Sequence, residues 1–306
     1  MTHTPRKILV GVSLGADVTP NLEVTELDRH AFENALWFAE KVGGSIEVHH
    51  AIDWVGFDPL AAVPDLANAA REQATSILQG LVQEARQRGV EGAATVTVGP
   101  AATELVARAE ASGADLIVVG PRAHSTDLLG RMTYGSSAKR LARQAPCDLW
   151  VVAPGSGVGF ERAVFLVDLT PISKELVALG DWMRATLGVE TELLHCVDFP
   201  ADIALHRLPN ATSAIEDYHK AVIEEAEKQI DALIGPDRKG WRVDVIDDWV
   251  VRVAPKVADA HDADLLVLTS TAKEGLAGKL LGSTASKLLG KTTRSTFIHR
   301  RPATGG

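Results

Sequence analysis

The sequence predicts an α/β protein made of two repeated doubly wound domains, each a five-stranded, mainly parallel sheet with helices on both faces. Three observations predict it. Short, near-continuous apolar runs alternate with longer segments of helical spacing along the 306-residue chain, as expected when strands are covered on both faces by crossover helices. The chain repeats itself once. Aromatic residues make up only 5% against 46% hydrophobic, so the cores must be built from Val, Leu, Ile and Ala, which suits α/β layers better than an aromatic-rich sandwich.

The repeat is read from matches that keep their order. Asp115-Leu-Ile-Val-Val119 matches Asp264-Leu-Leu-Val-Leu268, His50-Ala-Ile-Asp53 matches His195-Cys-Val-Asp198, and Gly135-Ser136 matches Gly282-Ser283. The separations are 149, 145 and 147 residues. Between the copies, residues 154–159 (PGSGVG) have the composition of a linker, which sets the domains at 1–154 and 160–302. In the first copy the strands fall at about 7–13, 45–52, 94–98, 115–120 and 148–153, with helices at about 25–42, 63–88, 101–112 and 136–144. In the second, strands fall at about 162–168, 190–197, 242–247, 264–269 and 295–300. Leu27, Ala31, Ala35, Phe38 and Val42 form one apolar helical stripe. Right-handed crossovers between such strands give a doubly wound sheet. Its ligands sit outside the carboxyl ends of the strands, where the strand order reverses.

Composition excludes several classes. The formal net charge is −9, so no nucleic-acid partner is expected; the densest basic run, Lys139, Arg140 and Arg143, reads as a solvated helix face. No run of 18 apolar residues occurs, so no membrane span is expected. The apolar run at 8–12 is too short for a signal segment. Two isolated cysteines, Cys147 and Cys196, make neither a disulfide framework nor a zinc pattern and suit a reducing cytoplasm. No G-x-S-x-G elbow is present, and no metal set is assigned, because His49, His50, Asp53, His195, Cys196 and Asp198 have no further ligands at fixed spacing. Ser13-Leu-Gly-Ala-Asp17 is an imperfect pyrophosphate-type loop, and its simpler reading is an ordinary loop.

The segment from Gly120 to Gly135-Ser136-Ser137 carries the chemistry. Glycines let backbone N–H groups approach a phosphate, and a helix start adds a favourable dipole. The helix and its exit, residues 135–152 (GSSAKRLARQAPCDLWVV), resemble the universal stress protein family. So do the strand residues His50-Ala51 and His195-Cys196 and the turn Gly99-Pro-Ala-Ala-Thr-Glu-Leu105. The family signature is G-x2-G-x9-G-(S/T), and the resemblance covers nearly the whole chain twice. It implies an adenine nucleotide alpha hydrolase-like fold, a stress-response binding or regulatory role in the cytoplasm, and an ATP site accompanied by magnesium. No catalytic residue is identified, so any hydrolysis would be slow.

Residue by residue, the copies depart from the signature in complementary ways. The first has Gly120, then Ala123 at the second glycine position, and eleven residues before Gly135-Ser136. The second has Thr269 and Ala272 at the glycine positions but keeps nine residues before Gly282-Ser283. The resemblance places an acidic residue at the end of the first strand; Asp168 supplies it in the second copy, Ser13 stands there in the first. A nucleotide would therefore be held by Gly120, Gly135, Ser136 and Ser137, or by Asp168, Gly282, Ser283 and Thr284. The alternative is that both Gly-Ser pairs are plain strand-to-helix turns.

Two other readings stay open. The chain is a nucleotide-independent interaction module; fifth strands often pair across a two-fold axis in the family it resembles, which implies that 149–153 and 296–300 pair within one chain as a pseudo-dimer, with unknown protein partners and a homodimer left open. Or it binds an apolar ligand through the loops at 57–64 and 200–209.

Overall fold

The computed structural model describes residues 4–15, 23–52, 64–121, 136–199, 212–270 and 283–300. In chain order the elements are β1 (Lys7–Gly11), α1 (Glu26–Val42), β2 (Ser45–Ile52), α2 (Pro64–Gln87), β3 (Glu91–Val98), α3 (Ala101–Ser112), β4 (Leu116–Val119), α4 (Ser136–Gln144) and β5 (Asp148–Val151). There follow β6 (Arg162–Val167), α5 (Ser173–Leu187), β7 (Glu190–Cys196), α6 (Thr212–Ile234), β8 (Trp241–Ile246), α7 (Val250–Ala260), β9 (Leu265–Ser270), α8 (Ser283–Leu289) and β10 (Ser295–Arg300). The chain divides into two compact units, with breaks between Gly159 and Phe160 and between Thr269 and Ser270. The last helix and strand thus belong to the first unit.

In the first unit the strand order is β3-β2-β1-β4-β5-β10. The first five strands are parallel. β10 pairs antiparallel with β5, Phe297 opposite Trp150. That is the pairing the sequence places between 149–153 and 296–300. β4 and β5 are buried at every residue, which is why they read as apolar runs, broken only by Asp148 at the start of β5. β3 begins at Glu91, three residues before the start read from the sequence, and pairs with β2 over eight residues. Gly92 and Ala93 hid its beginning, because small residues carry no strand pattern.

α1 shows how the helices are fixed. Thr25 caps it, its Oγ accepting from the Asp28 N–H at 3.2 Å. Gly43 ends it in the left-handed conformation, φ 62°. Ala31, Ala35, Phe38 and Val42 are buried as the stripe predicts, but Leu27 is only half-buried and the neighbouring Asp28 is buried instead.

The second unit has the order β9-β6-β7-β8, all parallel. One repeated motif has the same use in both units. Asp115 Oδ2 accepts the N–H groups of Arg6 and Lys7, each at 2.9 Å. Asp264 Oδ2 accepts those of Glu161 and Arg162, at 2.8 and 2.9 Å. These aspartates satisfy backbone donors at the start of β1 and β6, so their recurrence in the sequence has a structural cause.

Candidate functional site

Reversal of strand order occurs between β1 and β4 in the first unit and between β6 and β9 in the second. In the first unit a cleft opens there, a cavity of about 50 Å³ within a wider hollow of about 510 Å³ that includes open solvent. Gly11, Val12 and Ser13 leave β1 along one wall, and Val119 and Gly120 leave β4 beside them. The starts of α3 (Ala101, Ala102) and α4 (Ser137, Ala138) complete it, with Ala51, Leu105 and Leu141 as further apolar lining. Among the described residues the lining contains no lysine or arginine. Its polar side chains are Ser13, Asp28, His49 and Ser137.

The structure therefore brings Gly120 and Ser137 to one cleft, as the sequence placed them. Ser136 opens α4, and Gly135 lies outside the described residues. Asp28 and His49 were not singled out as a site. Asp28 has a hidden signal, since Thr25-x-x-Asp28 is a capping pair: Thr25 Oγ1 donates to Asp28 Oδ2 at 2.6 Å. Gly120 is demanded by packing as well. A β-carbon on it would lie 2.8 Å from the Leu27 carbonyl oxygen and 3.3 Å from Asp28 Oδ1. The glycine lets β4's exit pass close under the backbone of α1.

The strand histidines part company. His50 Nδ1–H donates to the Val12 carbonyl at 3.0 Å, and His195 Nδ1–H donates to the Val167 carbonyl at 2.8 Å. The two histidines that match in the repeat thus hold the ends of β1 and β6. His49 instead is buried against β3, its Nε2 3.0 Å from Thr97 Oγ1. Burial, with help from His50 and Arg108, pushes its pKa down to about 4, against the opposing pull of Glu47. Its folded pKa lies below the ordinary 6.5, so the unfolded chain takes up the proton first as pH falls. Stability is lost between about pH 6.5 and pH 4, and fully so for this residue amounts to about 3 kcal/mol at about 1.4 kcal/mol per unit. His49→Gln, which keeps a partner for Thr97, is expected to lose less stability than the parent between pH 7 and pH 4.5. Urea unfolding at both values checks this; equal losses would contradict it.

In the second unit Asp168 follows β6, at the place the sequence assigned to it, but its carboxylate is engaged locally. Oδ1 accepts from Thr170 N–H at 3.1 Å, Thr170 Oγ1 at 2.6 Å and Ser173 Oγ at 3.1 Å. These bonds tie the turn into α5, in which Leu169 adopts a left-handed φ of 57°. Ser283 opens α8, a helix of only seven residues, and Thr284 follows it; Gly282 lies outside the described residues. So do residues 57–63 of the apolar loop at 57–64 and all of the loop at 200–209; Pro64 opens α2. Burial pushes the Cys147 thiol up to about 12 and the Cys196 thiol up to about 11, so neither is a thiolate at neutral pH.

These two units define a tandem doubly wound α/β protein with the ligand-type crevice of that class in its first repeat. The model of the universal stress protein family matches residues 6–153 and again 159–300. The chain belongs to that family, in its two-domain form. A universal stress protein from Archaeoglobus fulgidus is 15% identical with a TM-score of 0.66, over 96% of this chain and 98% of that one. A functionally unknown protein from Pseudomonas aeruginosa PAO1 is 16% identical with a TM-score of 0.65, over 97% and 93%. A putative universal stress protein from Pseudomonas aeruginosa UCBPP-PA14 is 16% identical with a TM-score of 0.63, over 97% and 94%. At this identity they show the shared fold. Among curated proteins nothing matches. No helix among the described residues is long and apolar enough to cross a membrane.

Proposed function

We propose that the chain is a cytoplasmic stress-response binding module whose first repeat holds an adenine nucleotide in the cleft between β1 and β4. The observation that carries this reading is the meeting of Gly120 and Ser137 in a crevice at the strand-order reversal. Val12, Ala51, Ala101, Ala102 and Leu141 offer an apolar surface to a base and ribose. The first turn of α4 offers a phosphate backbone N–H groups that have no acceptor within the helix. The described lining supplies no cationic side chain, and the Asp28 carboxyl stands in the same space. A triphosphate therefore needs magnesium to offset its charge, and a monophosphate is the easier guest. Of the described lining residues that could act as a base, Asp28 is held by Thr25 and His49 is buried against Thr97, so the role proposed is binding.

The second repeat is the weaker candidate, because the Asp168 carboxylate is already used to build its own loop. Native mass spectrometry with added AMP separates the two. Ser137→Leu, which fills the mouth of the first cleft, is expected to abolish the bound mass. Asp168→Ala is expected to keep it while losing about 1 kcal/mol of stability with its hydrogen bonds. The reverse pattern would move the site to the second repeat.

A further inference from the structure

A second cluster lies in the second unit, away from the strand ends that carry the ligand crevice. Glu192 on β7, Asp244 on β8 and His261 at the end of α7 bring one ligand atom each within 4.8 Å of one another. His261 Nδ1 lies 2.8 and 3.0 Å from the Glu192 carboxylate oxygens and 3.8 Å from Asp244 Oδ2. The Glu192 side chain is only 9% exposed, while His261 and Asp244 are 21% and 26% exposed and open the cluster to solvent.

The first unit shows what this position looks like without a second carboxylate. The parallel registers place Glu47 opposite Ala93, with Thr95 two residues on, as they place Glu192 opposite Arg242, with Asp244 two residues on. There the buried glutamate is neutralised by Arg108, Nε to Oε1 2.5 Å, and Thr95 Oγ1 donates to the same oxygen at 2.5 Å. The second unit replaces the threonine donor by a carboxylate. It puts an imidazole against the glutamate, where the first unit has a guanidinium. Two carboxylates and an imidazole converge on one point, and the described cation beside them is the Arg242 guanidinium, its Nε 3.8 Å from Glu192 Oε2. The described charges facing His261 are Glu192, Asp244 and Arg242, whose Nη2 lies 2.7 Å from His261 Nε2. Arg162 Nη1 holds the His261 carbonyl at 3.0 Å and so anchors the end of α7.

We propose that Glu192, Asp244 and His261 form a binding site for a first-row divalent cation of the zinc type, with water completing the coordination. Two hard oxygen donors and one imidazole nitrogen suit zinc or cobalt(II), and a metal binding there displaces the proton on Nδ1. With Nδ1 on the metal, the ring's single proton is carried on Nε2 instead, so the Arg242 guanidinium must swing away. Its side chain is 58% exposed and can do so. Arg242 is then a competitor of the metal, and the first unit carries alanine at the matching register.

Titration of the full-length protein with cobalt(II) and zinc, followed by visible absorption and calorimetry, tests the site. One equivalent with low-micromolar affinity is expected, weakened at least about 100-fold in Asp244→Thr, the residue of the first unit. Arg242→Ala is expected to bind about 10-fold more tightly. Asp244→Asn, close in volume, guards against a folding defect and should also lose the metal. The proposal is overturned if no single equivalent binds, if Asp244→Thr and Asp244→Asn bind as the parent does, or if Arg242→Ala binds no better than the parent.

Discussion

Replacing Trp150 with alanine is expected to cost about 3–5 kcal/mol of stability. The side chain is fully buried in β5, opposite Val118 on β4 and Phe297 on β10. Its ring meets Phe38 of α1 edge-on, centroids 6.2 Å apart. With aromatics at 5% of the chain, few other side chains could collapse to fill that volume. Urea unfolding gives the loss directly, and a change below about 1 kcal/mol would mean that the site refills and the packing account is wrong.

Gly120→Val is expected to act twice. The β-carbon meets the Leu27 carbonyl at 2.8 Å, and that oxygen belongs to the helix backbone, which cannot rotate aside. Overpacking of this kind costs about 1–3 kcal/mol, and it shows in the absence of any ligand. The same displacement of α1 moves Asp28 and narrows the cleft, so nucleotide affinity falls with it. If the glycine served only a phosphate, stability without ligand would be unchanged. Thermal unfolding of the ligand-free variant, beside that of Ser137→Leu, distinguishes the two: Ser137→Leu should lose binding with little loss of stability.

How much was legible in the sequence follows from these particulars. Strands buried on both faces read clearly, because β4 and β5 are buried at every position. The start of β3 did not, because Gly92-Ala93 has neither size nor branching. The pairing of β5 with β10 was legible only through the family resemblance, and Gly120 and Ser137 were legible as cleft residues from the glycine and the helix start. What one sequence could not show was the second demand on each residue. Gly120 also clears α1, and Asp168 also ties down the turn before α5. Asp28 looks like an ordinary capping partner until the chain folds its carboxyl into the cleft. Glu192, Asp244 and His261 have no spacing that marks a metal set; only the register of β7 with β8, and the length of α7, brings them together.

The most direct measurement of the central claim is calorimetric titration of nucleotide-stripped protein with AMP and with ATP, each with and without magnesium. The account predicts one site per chain. AMP should bind with or without the metal, ATP only with it, and both should be lost in Ser137→Leu. No heat of binding up to millimolar nucleotide, or binding that survives Ser137→Leu, would contradict it.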